Sequence, residues 1–119
     1  MFYRKKSKYG AIKKKYAGRV YHSKLEASGA MLLDKMKQAG QITDIVPQYK
    51  IFLNAYDKHI TTHIVDFLIT LPNGKKKFVE IKGFPTEIWR LKMKLTQAQH
   101  PDIPYLVNPD EKQIMKEDF

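Results

Sequence analysis

The chain has 119 residues, of which 43% are hydrophobic, so its length and composition predict one domain with a substantial hydrophobic core. It has no cysteine, which excludes disulfides and thiolate chemistry, and no apolar run near the roughly 18 residues that a membrane-spanning helix needs. We also expect no secretory signal, because no apolar stretch follows the first basic residues. The net charge of +10, with nine Lys or Arg and no acid among residues 1–24, indicates a polyanionic partner, most often nucleic acid.

The N-terminal part of the chain concentrates this positive charge. Residues 1–8 form a basic N-terminal arm, and the runs Lys13-Lys14-Lys15-Tyr16 and Arg19-Val20-Tyr21-His22, on either side of Ala17-Gly18, predict a short hairpin. We expect nucleic-acid phosphates to contact Lys13, Lys14, Lys15 and Arg19. An anionic membrane is the alternative partner, but the arm lacks the strongly apolar face of an interfacial helix. A basic surface that is merely solvated is the other alternative.

A helix is predicted from Ser23 to Ala39. Ser23-Lys24-Leu25-Glu26 is a capping-box pattern, and Gly40 ends the helix. The residues predicted to be buried recur at helical spacing: Leu25, Gly29, Leu32 and Met36, with Leu33 alongside. Glu26 has two interpretations that the sequence does not separate. It bonds back to the helix cap, or it points at a metal ion or water.

The segment IVPQYKIFL, residues 45–53, predicts a strand. Pro47 favours an edge position or a strand start, because proline cannot donate to the ladder. Gln48 is a candidate polar residue of a nucleic-acid site, and an ordinary exposed strand position is its alternative. Residues 54–59 predict a turn.

The next two β-rich runs lie on either side of Pro72-Asn73-Gly74 and predict a β-hairpin. A two-residue Asn-Gly loop would place Asp66 and Glu80 on opposite faces of the hairpin, because side chains alternate along a strand. A three-residue loop pairs Leu71 with Lys75 and therefore Asp66 with Glu80. Proline at the second turn position and glycine at the left-handed position favour the three-residue loop.

On that register Asp66, Glu80 and Lys82 share one face of the hairpin. Two carboxylates directly opposite each other repel and destabilise the pair. A divalent cation would relieve the repulsion, and acidic oxygens are the ligands that Mg²⁺ prefers. The alternative is an exposed face that carries an ordinary Asp, Glu and Lys, since an Asp followed by Glu-x-Lys is by itself a weak pattern.

A second helix is predicted from a cap at Thr86 to about His100, where Pro101 stops it. Its buried stripe is predicted to consist of Ile88, Leu91, Leu95 and Ala98. A basic face, which holds phosphates or is simply solvated, consists of Arg90, Lys92 and Lys94.

The last part of the chain completes the predicted fold. Residues 103–107 predict a short buried strand, and residues 108–119 form a polar, acidic C-terminal tail. The second helix has the length of a crossover between parallel strands. The sequence therefore predicts a single α/β domain over residues 1–119, with an αβββαβ order and a mixed sheet flanked by helices.

This order resembles the PD-(D/E)xK nuclease superfamily, with its restriction-endonuclease-like core. The resemblance rests on an acid in the first helix, an Asp in the second strand and Glu-x-Lys in the third. More narrowly, residues 9–42 with VPQYKIFL, VDF, VEIKG and LKMKL resemble a small, mostly phage-encoded family, similar in layout to phage Holliday-junction resolvases and to transposon-end-cutting endonucleases. The likeness covers about residues 9–107, and it departs where the usual Pro-Asp is Val65-Asp66.

The resemblance implies a metal-dependent DNA endonuclease that hydrolyses phosphodiester bonds, on branched or junction DNA. Asp66 and Glu80, with the Ile81 carbonyl, would hold Mg²⁺ or Mn²⁺. Glu26 would bind that ion through water or recruit a second one. Lys82 would orient the attacking water or stabilise developing negative charge. The alternative is a non-catalytic nucleic-acid-binding module on the same fold, which would bind without cleaving.

The expected partner is therefore DNA, with no membrane and no small-molecule substrate. Resolvases act as dimers because two strands must be cut symmetrically, so a homodimer is expected for a junction-resolving enzyme. The absence of cysteine fits a reducing compartment. Together with the likeness to phage proteins, it leads us to expect a cytoplasmic protein, virus-encoded and acting in the host cytoplasm.

Overall fold

The computed structural model describes residues 14–16, 19–21 and 24–117 of the chain. The elements are β1 (Lys14–Tyr16), β2 (Arg19–Tyr21), α1 (Lys24–Gln38), β3 (Asp44–Ala55), β4 (Lys58–Thr70), β5 (Lys76–Glu80), α2 (Glu87–Gln99), β6 (Tyr105–Val107) and α3 (Glu111–Met115). One sheet has the order β3-β4-β5-β6. Its first three strands are antiparallel and β6 runs parallel to β5, so the predicted α/β fold with a mixed sheet is confirmed.

The predicted hairpin near the N-terminus is confirmed as the antiparallel pair β1 and β2. The basic arm, Lys13 and the predicted cap at Ser23 lie outside the described residues. The end of α1 is as expected, because Gly40 has a φ of +81° and its N–H donates to the Lys37 carbonyl. The N–H of Gln41 donates to the Met36 carbonyl, which completes the hydrogen-bond pattern of a glycine-terminated helix.

Helix α1 packs on one face of the sheet and forms a first hydrophobic cluster. Its buried residues differ in part from the predicted stripe, because Leu25 is 46% exposed. The helix instead buries Ala27, Ala30, Leu33 and Met36. Small side chains there let the helix approach the sheet closely. At Gly29 a Cβ atom would lie 2.6 Å from Cδ1 of Ile81, the residue that follows β5.

The hairpin of β4 and β5 has the three-residue loop and the register that the sequence predicts. The N–H of Leu71 donates to the Lys75 carbonyl, and the N–H of Gly74 donates back to the Leu71 carbonyl, both at 2.8 Å. Gly74 has a φ of +88°, the left-handed conformation expected at this position. The ladder between the two strands keeps this register, which places Asp66 opposite Glu80.

A second hydrophobic cluster lies on the other face of the sheet, under α2. It consists of Ile51, Leu53, Val65, Leu68 and Phe78. The residue Pro47 lies on β3, which is an edge strand, as its ring predicts. The predicted turn at residues 54–59 is tighter than expected, because β3 extends to Ala55 and β4 begins at Lys58.

The start of α2 is confirmed, whereas its predicted buried stripe is wrong. Thr86 caps the helix and accepts a hydrogen bond from the Trp89 N–H. The predicted stripe faces outward, with exposed Ile88, Leu91, Leu95 and Ala98. The helix buries Trp89 and Thr96 instead, because the large indole ring packs on Tyr105 at a centroid distance of 6.4 Å. At its far end the Gln99 side chain bonds to the β3 backbone and fixes this rotation.

The chain end holds an element that the sequence analysis did not predict. Within residues 108–119, expected only as a polar tail, α3 is capped by Asp110 and buries Ile114 completely in the first cluster. The buried Lys77 ammonium donates to the Lys116 carbonyl at 2.6 Å. Strand β6 is half-buried rather than fully buried because it is an edge strand. None of the helices in the described part of the chain is long and apolar enough to cross a membrane.

Candidate functional site

Asp66 on β4 and Glu80 at the end of β5 hold each other's strand through side-chain to backbone hydrogen bonds. Oδ2 of Asp66 accepts from the Ile81 N–H at 2.8 Å, and Oε1 of Glu80 accepts from the Asp66 N–H at 3.1 Å. These bonds replace ladder bonds at the point where β4 and β5 stop pairing regularly. The two carboxylates are therefore fixed close together by the backbone of both strands.

The side chains of β4 break their regular alternation between the two faces of the sheet at Asp66. In a regular strand residues two apart share a face, but Val65 packs in the second cluster with Phe78 and Phe67 packs in the first. Gln48 lies across from Asp66 on β3, forms no ladder pair with it, and has a φ of +52°. Such a backbone conformation is uncommon for a residue other than glycine. The irregularity places the Asp66 carboxylate between the two faces, within reach of the Gln48 side chain, which hydrogen-bonds to it.

Glu80 is buried and Asp66 is half-buried, and the pKa of each carboxylate is raised. Burial, followed by the Asp66 charge, raises the pKa of Glu80 from 4.5 to about 7. Burial also raises the pKa of Asp66, against the lowering effect of the Ile81 N–H, and the nearby Glu26 carboxylate raises it further. Glu80 is only 5% exposed. The Asp66 charge thus makes the charged form of Glu80 less favourable, and a cation between the two carboxylates would offset that penalty.

Lys82 is the positive group of the site. Its charge lowers the pKa of both Asp66 and Glu80. Its Nζ lies 5.7 Å from the ring centroid of Trp89. The Asn108 side chain hydrogen-bonds to both the N–H and the carbonyl of Lys82, with both distances 2.9 Å. The structure therefore brings Asp66 and Glu80 together, with Lys82 near enough for its charge to act on both carboxylates.

A row of buried polar side chains backs Glu80. The His63 Nε2 atom and the Tyr105 hydroxyl share a hydrogen bond of 2.7 Å, and the hydroxyl donates to Oε1 of Glu80 at 3.5 Å. Burial lowers the pKa of His63, which keeps the ring neutral. Burial raises the pKa of Tyr105, which keeps the hydroxyl a donor. The buried indole N–H of Trp89 approaches the same groups and lowers the pKa of Glu80, yet it makes no well-formed hydrogen bond.

Sequence reasoning missed His63, Tyr105 and Trp89. His63 has no zinc-ligand spacing to the other histidines, so no sequence pattern points to it. Trp89 lies outside the predicted buried stripe of α2. A signal existed in the parallel pairing of β5 and β6, because Tyr105 on β6 pairs with Phe78, two residues before Glu80. The contact itself depends on the rotation of α2, which the sequence did not predict.

The other predicted residues lie in different places. Glu26 is half-buried in the first turn of α1 and close enough to raise the pKa of Asp66. Arg90 and Lys94 are exposed on α2. Lys92 is partly buried, and its ammonium donates to the Thr62 carbonyl at 3.2 Å. Lys14 and Lys15 lie on β1, and Arg19 lies on β2. Among residues 24–117 and the β1–β2 hairpin, no group of three His, Cys, Asp or Glu is arranged to hold a metal.

The chain matches a known family model. The family model described as "Protein of unknown function (DUF1064)" matches residues 6–108. The matched span contains the whole β3-β4-β5-β6 sheet, both longer helices and all the candidate site residues, and it ends before α3. The comparison with curated proteins gave no match.

Proposed function

We propose that this chain, which belongs to the DUF1064 family, is a metal-dependent DNA endonuclease that hydrolyses phosphodiester bonds. The supporting observation is the hydrogen-bonded pair of half-buried Asp66 on β4 and buried Glu80 at the end of β5, with the Lys82 charge near enough to lower the pKa of both. Two adjoining carboxylates with raised pKa values, in a chain of net charge +10, are suited to a divalent cation and an anionic substrate.

The donor set fits Mg²⁺ or Mn²⁺, which both prefer oxygen ligands. Asp66, Glu80 and the Ile81 carbonyl would hold the ion, and Glu26 would reach it through water or help to hold a second ion. A bound ion would polarise the scissile phosphate and lower the pKa of a water molecule on it. Burial of Glu80, together with the Asp66 charge, raises the pKa of Glu80 to about 7, and a bound cation would offset this penalty on the charged form, which favours ion binding.

The protein's own groups would do the remaining work. The Lys82 ammonium would orient the attacking water or stabilise negative charge that develops on the phosphate oxygens. The carboxylates of Asp66 and Glu80 would act as metal ligands without rearrangement. The Ile81 N–H already holds the Asp66 carboxylate, and the Asp66 N–H holds the Glu80 carboxylate. The neutral His63 and the Tyr105 hydroxyl would exclude water from the back of Glu80.

Binding of DNA would use cations outside the acid pair. Arg90 and Lys94 are exposed on α2, so they suit phosphate binding, which adds affinity without sequence information. Lys92 would contribute charge while it remains bonded to the Thr62 carbonyl. Gln48 lies at the acid pair itself and would contact the substrate near the scissile bond.

We further propose branched or junction DNA as the substrate, on the basis of the layout shared with phage Holliday-junction resolvases. The test is cleavage of a labelled four-way junction beside duplex and single-stranded controls, with Mg²⁺, Mn²⁺ or EDTA. The proteins compared are wild type, Lys82→Ala and the matched control Lys37→Ala, whose lysine is exposed in the last turn of α1.

Metal-dependent cutting by wild type and Lys37→Ala, strongly slowed in Lys82→Ala, would support the nuclease assignment, and the preferred DNA would identify the substrate. Metal-independent binding of DNA without any cutting would contradict it. That result would favour the alternative, a non-catalytic nucleic-acid-binding module on the same fold.

A further inference from the structure

Lys82 lies beyond the regular pairing of its strand. Strand β5 ends at Glu80, and the last pair between β5 and β6 joins Glu80 to Val107. The backbone of Lys82 therefore has no partner in the sheet ladder, although its charge acts on both carboxylates of the pair. Some other group has to fix it.

One residue supplies that group. Oδ1 of Asn108 accepts from the Lys82 N–H and Nδ2 of Asn108 donates to the Lys82 carbonyl, each at 2.9 Å. The backbone N–H of Asn108 donates to the Glu80 carbonyl at 2.8 Å. The amide side chain thus imitates a peptide unit and extends the sheet ladder by two residues, from Glu80 to Lys82.

The backbone of Asn108 suits this arrangement. Its φ is +49°, in the left-handed region that asparagine tolerates better than most residues with a side chain. The left-handed turn directly after β6 directs the side chain back across β5. A residue with a longer or branched side chain would lose either the backbone conformation or the two bonds.

We propose that Asn108 is the positioning residue of the site, which holds Lys82 in register with Asp66 and Glu80. This inference rests on the proposed nuclease function. Asn108 is not part of the Glu-x-Lys pattern and was not among the candidate residues, yet it is the one residue that bonds to the backbone at both Glu80 and Lys82 among the described hydrogen bonds.

The test separates positioning from a general structural role by a double-mutant cycle. Asn108→Gly tolerates the positive φ and keeps the backbone N–H, so it removes only the two side-chain bonds. It is measured alone and in the Lys82→Ala background. The matched control is Asn73→Gly, which removes an asparagine bond to the backbone in the exposed hairpin loop.

We expect Asn108→Gly to lower kcat by about 10-fold to 100-fold while KM and DNA binding in EDTA stay unchanged. In the Lys82→Ala background the same change should cost less than about 3-fold, because Asn108 acts through Lys82. Asn73→Gly should leave kcat unchanged. An equal loss in both backgrounds would overturn the positioning role.

Amide hydrogen exchange of Lys82, measured without metal or DNA, tests the positioning role of Asn108 separately from the proposed nuclease function. We expect the Lys82 N–H to exchange at least about 10-fold faster in Asn108→Gly. It should exchange at nearly the wild-type rate in Asn108→Asp, which keeps the acceptor oxygen. Exchange that is unchanged in Asn108→Gly overturns the inference whether or not the protein cleaves DNA. A wild type inactive on every DNA overturns the proposed function instead.

Discussion

The carboxylate of Glu80 accepts a hydrogen bond from the backbone N–H of Asp66, so one acid of the pair fixes the main chain of the other. The reverse contact runs from the Ile81 N–H to the Asp66 carboxylate. Each acid therefore has a structural role in the fold and a proposed role in catalysis. A substitution at either position should be tested by measuring both the stability of the fold and the cleavage of DNA.

Metal-free protein should lose stability as the pH rises through the range in which Glu80 ionises. The pKa of Glu80 is raised from 4.5 to about 7 in the folded state, so between these values the folded protein binds more protons than the unfolded chain. Stability that is fully present below pH 4.5 is therefore lost as the pH rises through about 7. The expected loss is on the order of 3 kcal/mol. Urea denaturation in EDTA at pH 4.5, 6 and 8 measures it.

Glu80→Gln should flatten this pH dependence, whereas Asp57→Asn, which changes an exposed acid in the β3–β4 turn, should leave it in place. Mg²⁺ should restore stability at pH 8 in wild type and much less in Glu80→Gln. A wild-type protein that grows more stable from pH 5 to 8 in EDTA would show that Glu80 is not the dominant titrating group.

Asp66→Asn should lower the cleavage rate by more than about 100-fold, because an amide is a far poorer ligand for Mg²⁺ than a carboxylate. The amide oxygen can still accept from the Ile81 N–H, so unfolding by urea should change little. DNA binding in EDTA, followed by fluorescence anisotropy, should match that of wild type. Cleavage by Asp66→Asn at the wild-type rate would refute the metal-ligand role.

Gly29→Ala should destabilise the fold by about 1–3 kcal/mol through overpacking. The new Cβ would lie 2.6 Å from Cδ1 and 2.8 Å from Cγ1 of Ile81, which is buried and cannot move freely. This cost should exceed the gain of at most about 1 kcal/mol that alanine brings to a helix. Ile81→Val removes Cδ1 and should recover part of the loss in the double variant. Additive losses in urea denaturation would contradict the proposed clash.

Lys77→Met should destabilise the protein by about 1–3 kcal/mol, because it removes the charged donor that holds the end of α3. The Lys77 ammonium is buried and donates to the Lys116 and Gln113 carbonyls. Lys76→Met, at the exposed neighbouring position, serves as the control. The amides of α3 should exchange faster in Lys77→Met than in the control, and equal exchange in the two variants would count against this role.

The parts of the fold that depend on local chemistry were predicted from the sequence. The three-residue loop at Pro72-Asn73-Gly74 set the hairpin register, and that register brought Asp66 and Glu80 together. Glycine and proline have strong conformational preferences, so a turn is determined by a few neighbouring residues. The caps at Thr86 and Gly40 were predicted for the same reason.

The parts that depend on distant contacts were not predicted. Helix α2 has two possible apolar faces, and the sequence does not reveal that Trp89 rather than Ile88 meets the sheet, because the contact with Tyr105 is made across residues far apart in the chain. The acidic composition of residues 108–119 predicted a polar tail, whereas Ile114 within it is completely buried. The break in alternation at Asp66 was also missed, since it requires the unusual backbone of Gln48 on the neighbouring strand.

The hydrogen bonds of the acid pair predict which residues a relative would keep after it had lost catalytic activity. A relative that had given up catalysis would still be under selection to keep an acceptor at Asp66 and Glu80, because both anchor backbone N–H groups between β4 and β5. The Lys82 side chain, by contrast, contacts the outer face of the Trp89 ring and anchors no strand. Loss of the lysine with retention of both acids would therefore be the signature by which an inactive member could be recognised.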